Sequence, residues 1–204
     1  MNEYKPYLMC DDSEKDGKAE TMMDYIMSWC FRCASYEYVK LRQPILYRYC
    51  KYMLCVLLDM TDKIDSITFE KVTVWKQWKY IDLWVEVEFS IKSKGNEGDK
   101  REKHAILIEN KYYTLVHDDQ LMRYKETFDS YYKDKEEDYP MANRHCALIT
   151  CQYENTNTYN TLKQQLGENN PFHLYNVYHL LDSSVGFAPS ESDIFNEFFI
   201  RDWL

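Results

Sequence analysis

Ile81-Asp82-Leu83-Trp84-Val85-Glu86-Val87-Glu88-Phe89 and, after a charged gap, His104-Ala105-Ile106-Leu107-Ile108-Glu109-Asn110-Lys111 are the two runs whose reading decides the fold. Both carry the period-two alternation and β-branched content of strands. The polar gap from Ile91 to Lys103 is long enough to turn the chain back, which predicts an antiparallel hairpin. Successive side chains of a strand point to opposite faces, so Glu109 and Lys111, two residues apart, share one. Asp82, on the neighbouring strand, then completes a cluster of two carboxylates and one ammonium.

The flanking segments supply the layers. From Ala19 a helical period takes over, with Met22, Met23, Ile26, Trp29, Cys30 and Cys33 on one arc and Glu20 at its apolar edge. A second helix is predicted from about Gln43 to Asp59, with Pro44 in its first turn. Ile67–Trp75 alternates as a further strand, and a break around Lys76–Lys79 leads into the Asp82 strand. After Lys111, Asp118 is the expected N-cap of a helix that buries Leu121, Tyr124, Phe128 and Tyr131. His145–Cys151 reads as a buried strand reached by a parallel crossover. A short helix near Tyr159–Leu166 follows, then a strand and a helical turn within Phe172–Leu181. Ser190-Glu191-Ser192-Asp193 resembles a capping box opening a last helix that buries Ile194, Phe195, Phe198, Phe199 and Trp203. The order predicts an α/β fold with a mixed central sheet flanked by helices, a single domain over 1–204 with its core at about 19–151 and an extension over 152–204.

The bulk numbers bound the partners. A chain of 204 residues builds one core. Its net charge of −9, from 34 acids against 25 Lys and Arg, excludes a generic basic nucleic-acid coat but not a local basic groove. Lys92, Lys94, Lys100, Arg101 and Lys103 in the hairpin gap, with Arg123 and Lys125 near the helix face, are the candidates for meeting phosphates. The 19 Tyr fit a thick core, a base-stacking surface or a dimer interface equally. Seven cysteines form no recognisable framework; Cys30-x-x-Cys33 falls inside a helical pattern, which favours buried thiols over zinc or redox chemistry. Met1-Asn2-Glu3-Tyr4-Lys5 lacks the apolar core of a signal peptide, and no run reaches 18 apolar residues, so the expectation is a cytoplasmic protein with no membrane partner.

The candidate chemistry is that of a hard cation. Mg²⁺ takes oxygen ligands, one or two carboxylates among them, together with waters and substrate phosphate. Asp82 and Glu109 supply the carboxylates, and the backbone carbonyl of Asn110 offers a third oxygen. Lys111 is placed to serve the attacking water or the charge developing on phosphorus. Gln120 and Tyr124, one helical turn apart, face the same way and suit support of the acids or of a nucleic-acid backbone. Taken singly, each feature reads as an ordinary ion pair or helix face; their order and conjunction carry the signal.

That order, Asp82, then Glu109-x-Lys111, then Gln120-Leu121-Met122-Arg123-Tyr124, resembles the PD-(D/E)xK nuclease superfamily, in particular its branch with an Ile-Glu-Asn-Lys strand and a Gln-x-x-x-Tyr helix. The Gln-x-x-x-Tyr element is also similar to that of RecB-type nuclease domains. Glu20, nine residues before Trp29, resembles the additional acid of the family's first helix. Tyr80-Ile81 stands where the family name has a proline, a departure common in the superfamily. The resemblance covers about residues 19–151. It implies a restriction-endonuclease-like core (αβββαβ) and a Mg²⁺-dependent nuclease, with Mn²⁺ as substitute, acting on nucleic acid, first of all DNA. Asp82, Glu109, Asn110 and Glu20 would meet the metal, and a homodimer would suit double-strand cleavage. The alternative is a catalytically silent module of the same fold that binds nucleic acid or protein.

Overall fold

The computed structural model describes residues 19–93, 98–112, 114–117 and 119–201, without the side chain of Arg201. Asp118 as an N-cap, Lys94, Trp203 and one of the seven cysteines, Cys10, lie outside them.

Five strands form one sheet in the order β1(Ile67–Trp78), β2(Ile81–Ile91), β3(Lys100–Lys111), β4(Arg144–Thr150) and β5(Phe172–Asn176). The first three form an antiparallel meander. β4 lies parallel to β3, and β5 parallel to β4. The sheet is therefore mixed, as the pattern predicts. On one face pack α1(Ala19–Cys33) and α3(Pro44–Leu57), joined by the short α2(Glu37–Arg42), which the helical pattern did not reveal. The last segment, α6(Asp193–Phe195) continued as a π-helical turn over Asn196–Arg201, buries Phe195, Phe198 and Phe199 on this same face. The other face is covered by α4(Gln120–Tyr132) and α5(Asn157–Leu166).

Strand alternation explains both layers. Leu83, Val85, Val87 and Phe89 of β2 join Ile106 and Ile108 of β3 in the core under α1 and α3. Trp84, Ala105 and Leu107 point to the opposite core with Phe128 and Tyr132 of α4. Glu86 points the same way and is taken up by the hydroxyls of Tyr132 and Tyr139, at 2.8 and 3.2 Å. Glu88 pairs with Lys71 at 3.2 Å. Both acids are thus structural partners, not members of the site.

Three local outcomes differ from the pattern. β1 runs on through Lys76 to Trp78, and the connection to β2 is a two-residue turn, Lys79-Tyr80, between the paired Trp78 and Ile81. The last helix is capped by Ser192, whose hydroxyl accepts from the Phe195 amide at 3.3 Å. Glu191 instead crosses to α3, where its two carboxylate oxygens accept from Ile45 and Leu46 N–H at 3.2 and 3.0 Å. Glu191 so satisfies N–H groups that Pro44 and Gln43 leave open at the helix start.

Cys30, Cys33, Cys50, Cys55, Cys146 and Cys151 are free and buried. A hydrogen bond with Cys50 and burial push the Cys33 thiol up, and burial raises Cys50 and, to about 12, Cys55 and Cys146. A reactive thiol needs the opposite shift, so the Cys30-x-x-Cys33 pair belongs to the core. Among the described residues no helix is long and apolar enough to cross a membrane.

Candidate active site

The site forms where β2 begins and β3 ends. Leu83 pairs with Ile108, so the antiparallel register carries Asp82 and Glu109 to facing positions one step further on. Glu109 and Lys111 share the face turned to α4, and both are buried. Lys111 Nζ lies 2.6 Å from Glu109 Oε1. Gln120, first residue of α4, donates through Nε2 to the same Oε1 at 2.8 Å and to the Tyr124 hydroxyl at 3.0 Å. Asp82 is held from two sides: Asn110 N–H donates to its Oδ2 at 2.9 Å, and Gln77 Nε2 to its Oδ1 at 2.8 Å. The structure thus brings together Asp82, Glu109, Asn110, Lys111, Gln120 and Tyr124.

Glu20 sits at the margin. Its Oε1 accepts from the Tyr112 amide at 3.1 Å and the Thr114 hydroxyl at 2.6 Å, tying α1 to the chain that leaves β3. The acid that reaches inward is one turn later. Asp24, buried, accepts from Asn110 Nδ2 at 2.7 Å and from Gln77 Nε2 at 3.1 Å. Sequence reasoning missed both Asp24 and Gln77. Asp24 carried a readable signal, an acid set among Met22, Met23, Ile26 and Met27. Gln77 carried none, because its role depends on a left-handed backbone, φ 52°, that lets one amide reach Asp24 on one side of the sheet and Asp82 on the other.

The hairpin-gap lysines and arginine lie at the wrong end of the strand. Lys100, Arg101 and Lys103 pair with Glu102, Glu70 and Asp138. Eight residues of strand separate Arg101 from Glu109, roughly 26 Å at ~3.3 Å per residue. Lys125 pairs with Asp129 on α4.

The electrostatics describe a site short of positive charge. Burial, then the charge of Asp82, push Glu109 up to about 8 in spite of Lys111. Burial and Asp82 likewise raise Asp24 to about 6. For Lys111, burial works against the ammonium, but Glu109, Glu20 and Asp82 together outweigh it and the pKa ends above its ordinary value. Four buried side-chain atoms lack a hydrogen-bond partner among the described residues, and three are oxygens of this site: Glu109 Oε2, Asn110 Oδ1 and Gln120 Oε1. Buried oxygens without donors are costly; Glu109 Oε2 and Gln120 Oε1 lie on the α4 side and suit a hard cation, whereas the Asn110 side chain is on the α1 side with Asp24. No cluster of three or more His, Cys, Asp and Glu side chains in metal-binding arrangement occurs among the described residues, so carboxylates alone do not close a cage. An ion here would rely on amide oxygens, water or substrate, as Mg²⁺ commonly does.

The pattern of the PD-(D/E)XK nuclease superfamily matches residues 18–186. No curated protein matches the sequence. Among solved structures the chain is similar to a protein described as "DNA modification-dependent restriction endonuclease AspBHI", at 14% identity and a TM-score of 0.31, over 85% of this chain and 39% of that one. The chain therefore spans well under half the length of that structure.

Proposed function

The chain belongs to the PD-(D/E)XK nuclease superfamily, and from that premise we propose that it is a Mg²⁺-dependent nuclease hydrolysing phosphodiester bonds of DNA, with Mn²⁺ able to replace Mg²⁺. The observation that carries this reading is the facing of Asp82 and Glu109 across β2 and β3, with the partnerless oxygens Glu109 Oε2 and Gln120 Oε1 on the α4 side.

Asp82 and Glu109 would hold the ion, with the backbone carbonyl of Asn110 and the amide oxygen of Gln120 beside them and Glu20 outside the first contacts. When bound, such an ion offsets charge on the scissile phosphate and lowers the pKa of an attacking water. The chain's own residues do the positioning. Gln120 and Lys111 both engage Glu109 Oε1, which fixes the carboxylate and leaves Oε2 without a hydrogen-bond partner among the described residues, so that it could meet an ion. The Asn110 amide and Gln77 lock the Asp82 carboxylate in place. Tyr124 accepts from Gln120 and so holds the amide's orientation. Lys111, whose pKa lies above its ordinary value, is suited to stabilise charge developing on the phosphoryl oxygens and to orient the water, not to remove its proton.

The test is a cleavage panel of linear, circular and single-stranded DNA and of RNA, with Mg²⁺, Mn²⁺ or chelator. DNA cleavage is expected with either ion and none with chelator. Asp82→Ala or Lys111→Ala is expected to reduce cleavage at least about a hundredfold with circular dichroism unchanged. Full activity in both variants would remove Asp82 and Lys111 from the mechanism. Calorimetry separates a silent relative, which would bind neither ion. Sedimentation with and without duplex DNA checks whether two copies act together.

A further inference from the structure

The turn that joins β1 to β2 stands two residues from Asp82, and its chemistry is unlike that of an ordinary hairpin tip. Lys79 and Tyr80 both have positive φ, 55° and 67°, the signature of a type I′ turn that normally selects Asn and Gly. Neither residue suits it, and each such conformation is unfavourable for a side chain with a Cβ. Gln77, on the same tip, is also left-handed. Three strained non-glycine residues in four positions invite a functional reading.

What the strain displays is an exposed ring. Tyr80 is 85% exposed, the most exposed large apolar side chain among the described residues. Around it lie lysines resting on rings. Lys76 Nζ is 2.8 Å from the centroid of the Tyr25 ring. Lys79 Nζ lies 5.4 Å from Trp78 and 5.6 Å from Tyr131, and Lys135 Nζ 3.7 Å from Tyr131. Among the described residues none of these three lysines has a carboxylate within ion-pair distance, although the chain carries nine more negative than positive charges. Lys100, Arg101 and Lys103 at the other end of the sheet pair with carboxylates; among the described residues Lys76, Lys79 and Lys135 rest on rings instead.

We propose that the β1–β2 turn is a binding site for an unpaired DNA strand, with a base stacked on Tyr80 and its phosphates met by Lys76 and Lys79. An aromatic ring offers its face to any base, and ammonium groups flanking it track the backbone. Only an unpaired base can present its full face to a ring at a hairpin tip. Tyr80 precedes Asp82 by two residues, at most about 7 Å of backbone, so a base held on the ring would bring a neighbouring phosphate within reach of the carboxylates. Gln77 links the same tip to both Asp82 and Asp24, so the element that holds the strand also positions the acids. The inference rests on the nuclease reading for the identity of its ligand.

The test is anisotropy of a labelled oligothymidine of about 12 nucleotides with the full chain in chelator, where no turnover occurs. Tyr80→Ala is expected to weaken binding about fivefold to a hundredfold, and Tyr80→Phe to bind as the parent does. Lys79→Ala is expected to flatten the dependence of log K on log salt by about 0.7. Tyr80→Gly suits the turn better and guards against a folding artefact: it is expected to melt higher yet bind more weakly. Parent-like binding by Tyr80→Ala, no oligonucleotide binding by the parent, or an equal loss on fully paired duplex would each overturn the proposal. Cleavage with Mg²⁺ is read separately. Tyr80-dependent binding without cleavage refutes the nuclease and keeps the turn, whereas cleavage with Tyr80-independent binding refutes the turn and keeps the nuclease.

Discussion

Glu109 is an acid folded into a place that disfavours its charge, and this has a measurable sign. Its pKa is raised from 4.5 to about 8, so its contribution to stability is full below 4.5 and disappears as pH rises through about 8. His145 works the other way. Burial lowers it from 6.5 to about 4, so its contribution is present above 6.5 and is lost as pH falls toward 4. Above about pH 7 only the Glu109 slope remains of the two. In chelator the melting temperature is expected to fall from about pH 7 to about pH 8 and to level off above that, an effect of about 1.4 kcal/mol, the equivalent of the one pKa unit left in that range. Glu109→Gln is expected to flatten that fall, and Mg²⁺ to raise the melting temperature most at the alkaline end. An unchanged slope in Glu109→Gln, measured by scanning calorimetry, would place the titration elsewhere. At this scale Asp82, Glu109 and Lys111 were legible in the sequence because strand geometry converts spacing into facing. Gln77 was not, because a backbone dihedral decides where its amide goes.

The hairpin tip and the start of α3 carry the predictions at the scale of elements. Replacing Lys79-Tyr80 by Asn-Gly removes two unfavourable dihedrals and is expected to stabilise the chain by about 1 kcal/mol, read from denaturant midpoints at unchanged slope; a loss of stability would mean that the observed turn is not strained. Glu191→Ala leaves Ile45 and Leu46 N–H without their acceptor and is expected to cost about 1 kcal/mol, with no effect on oligonucleotide cleavage. Strands and long helices were readable from periodicity, which is why β2, β3, α1 and α4 occur where alternation and the 3.6-residue period place them. α2, six residues long, is too short for a period to show. Glu191 was readable as a capping residue, but a carboxylate that caps a helix 146 residues away leaves no local trace.

Across the whole molecule, composition and element order identified the three layers, because apolar residues on both strand faces require cover on both sides of the sheet. What composition could not reveal was the distribution of charge: among the described residues, basic groups paired with carboxylates at one end of the sheet and lysines resting on aromatic rings at the other. The sheet's connectivity has a further consequence, for the order in which the molecule assembles. β1, β2 and β3 pair through local turns, whereas β4 and β5 need crossovers and α1 joins the site from far away in sequence. Loop closure favours the local meander first, so Asp82 and Glu109 meet before α4 and α1 deliver Gln120 and Asp24 to the site. The expected rate-limiting ensemble therefore contains two facing acids not yet enclosed by either helix. Asp82→Asn, which removes that repulsion, is expected to quicken refolding in stopped-flow experiments several-fold with little change in the unfolding rate. A variant that alters only unfolding would mean that the acids meet after the barrier.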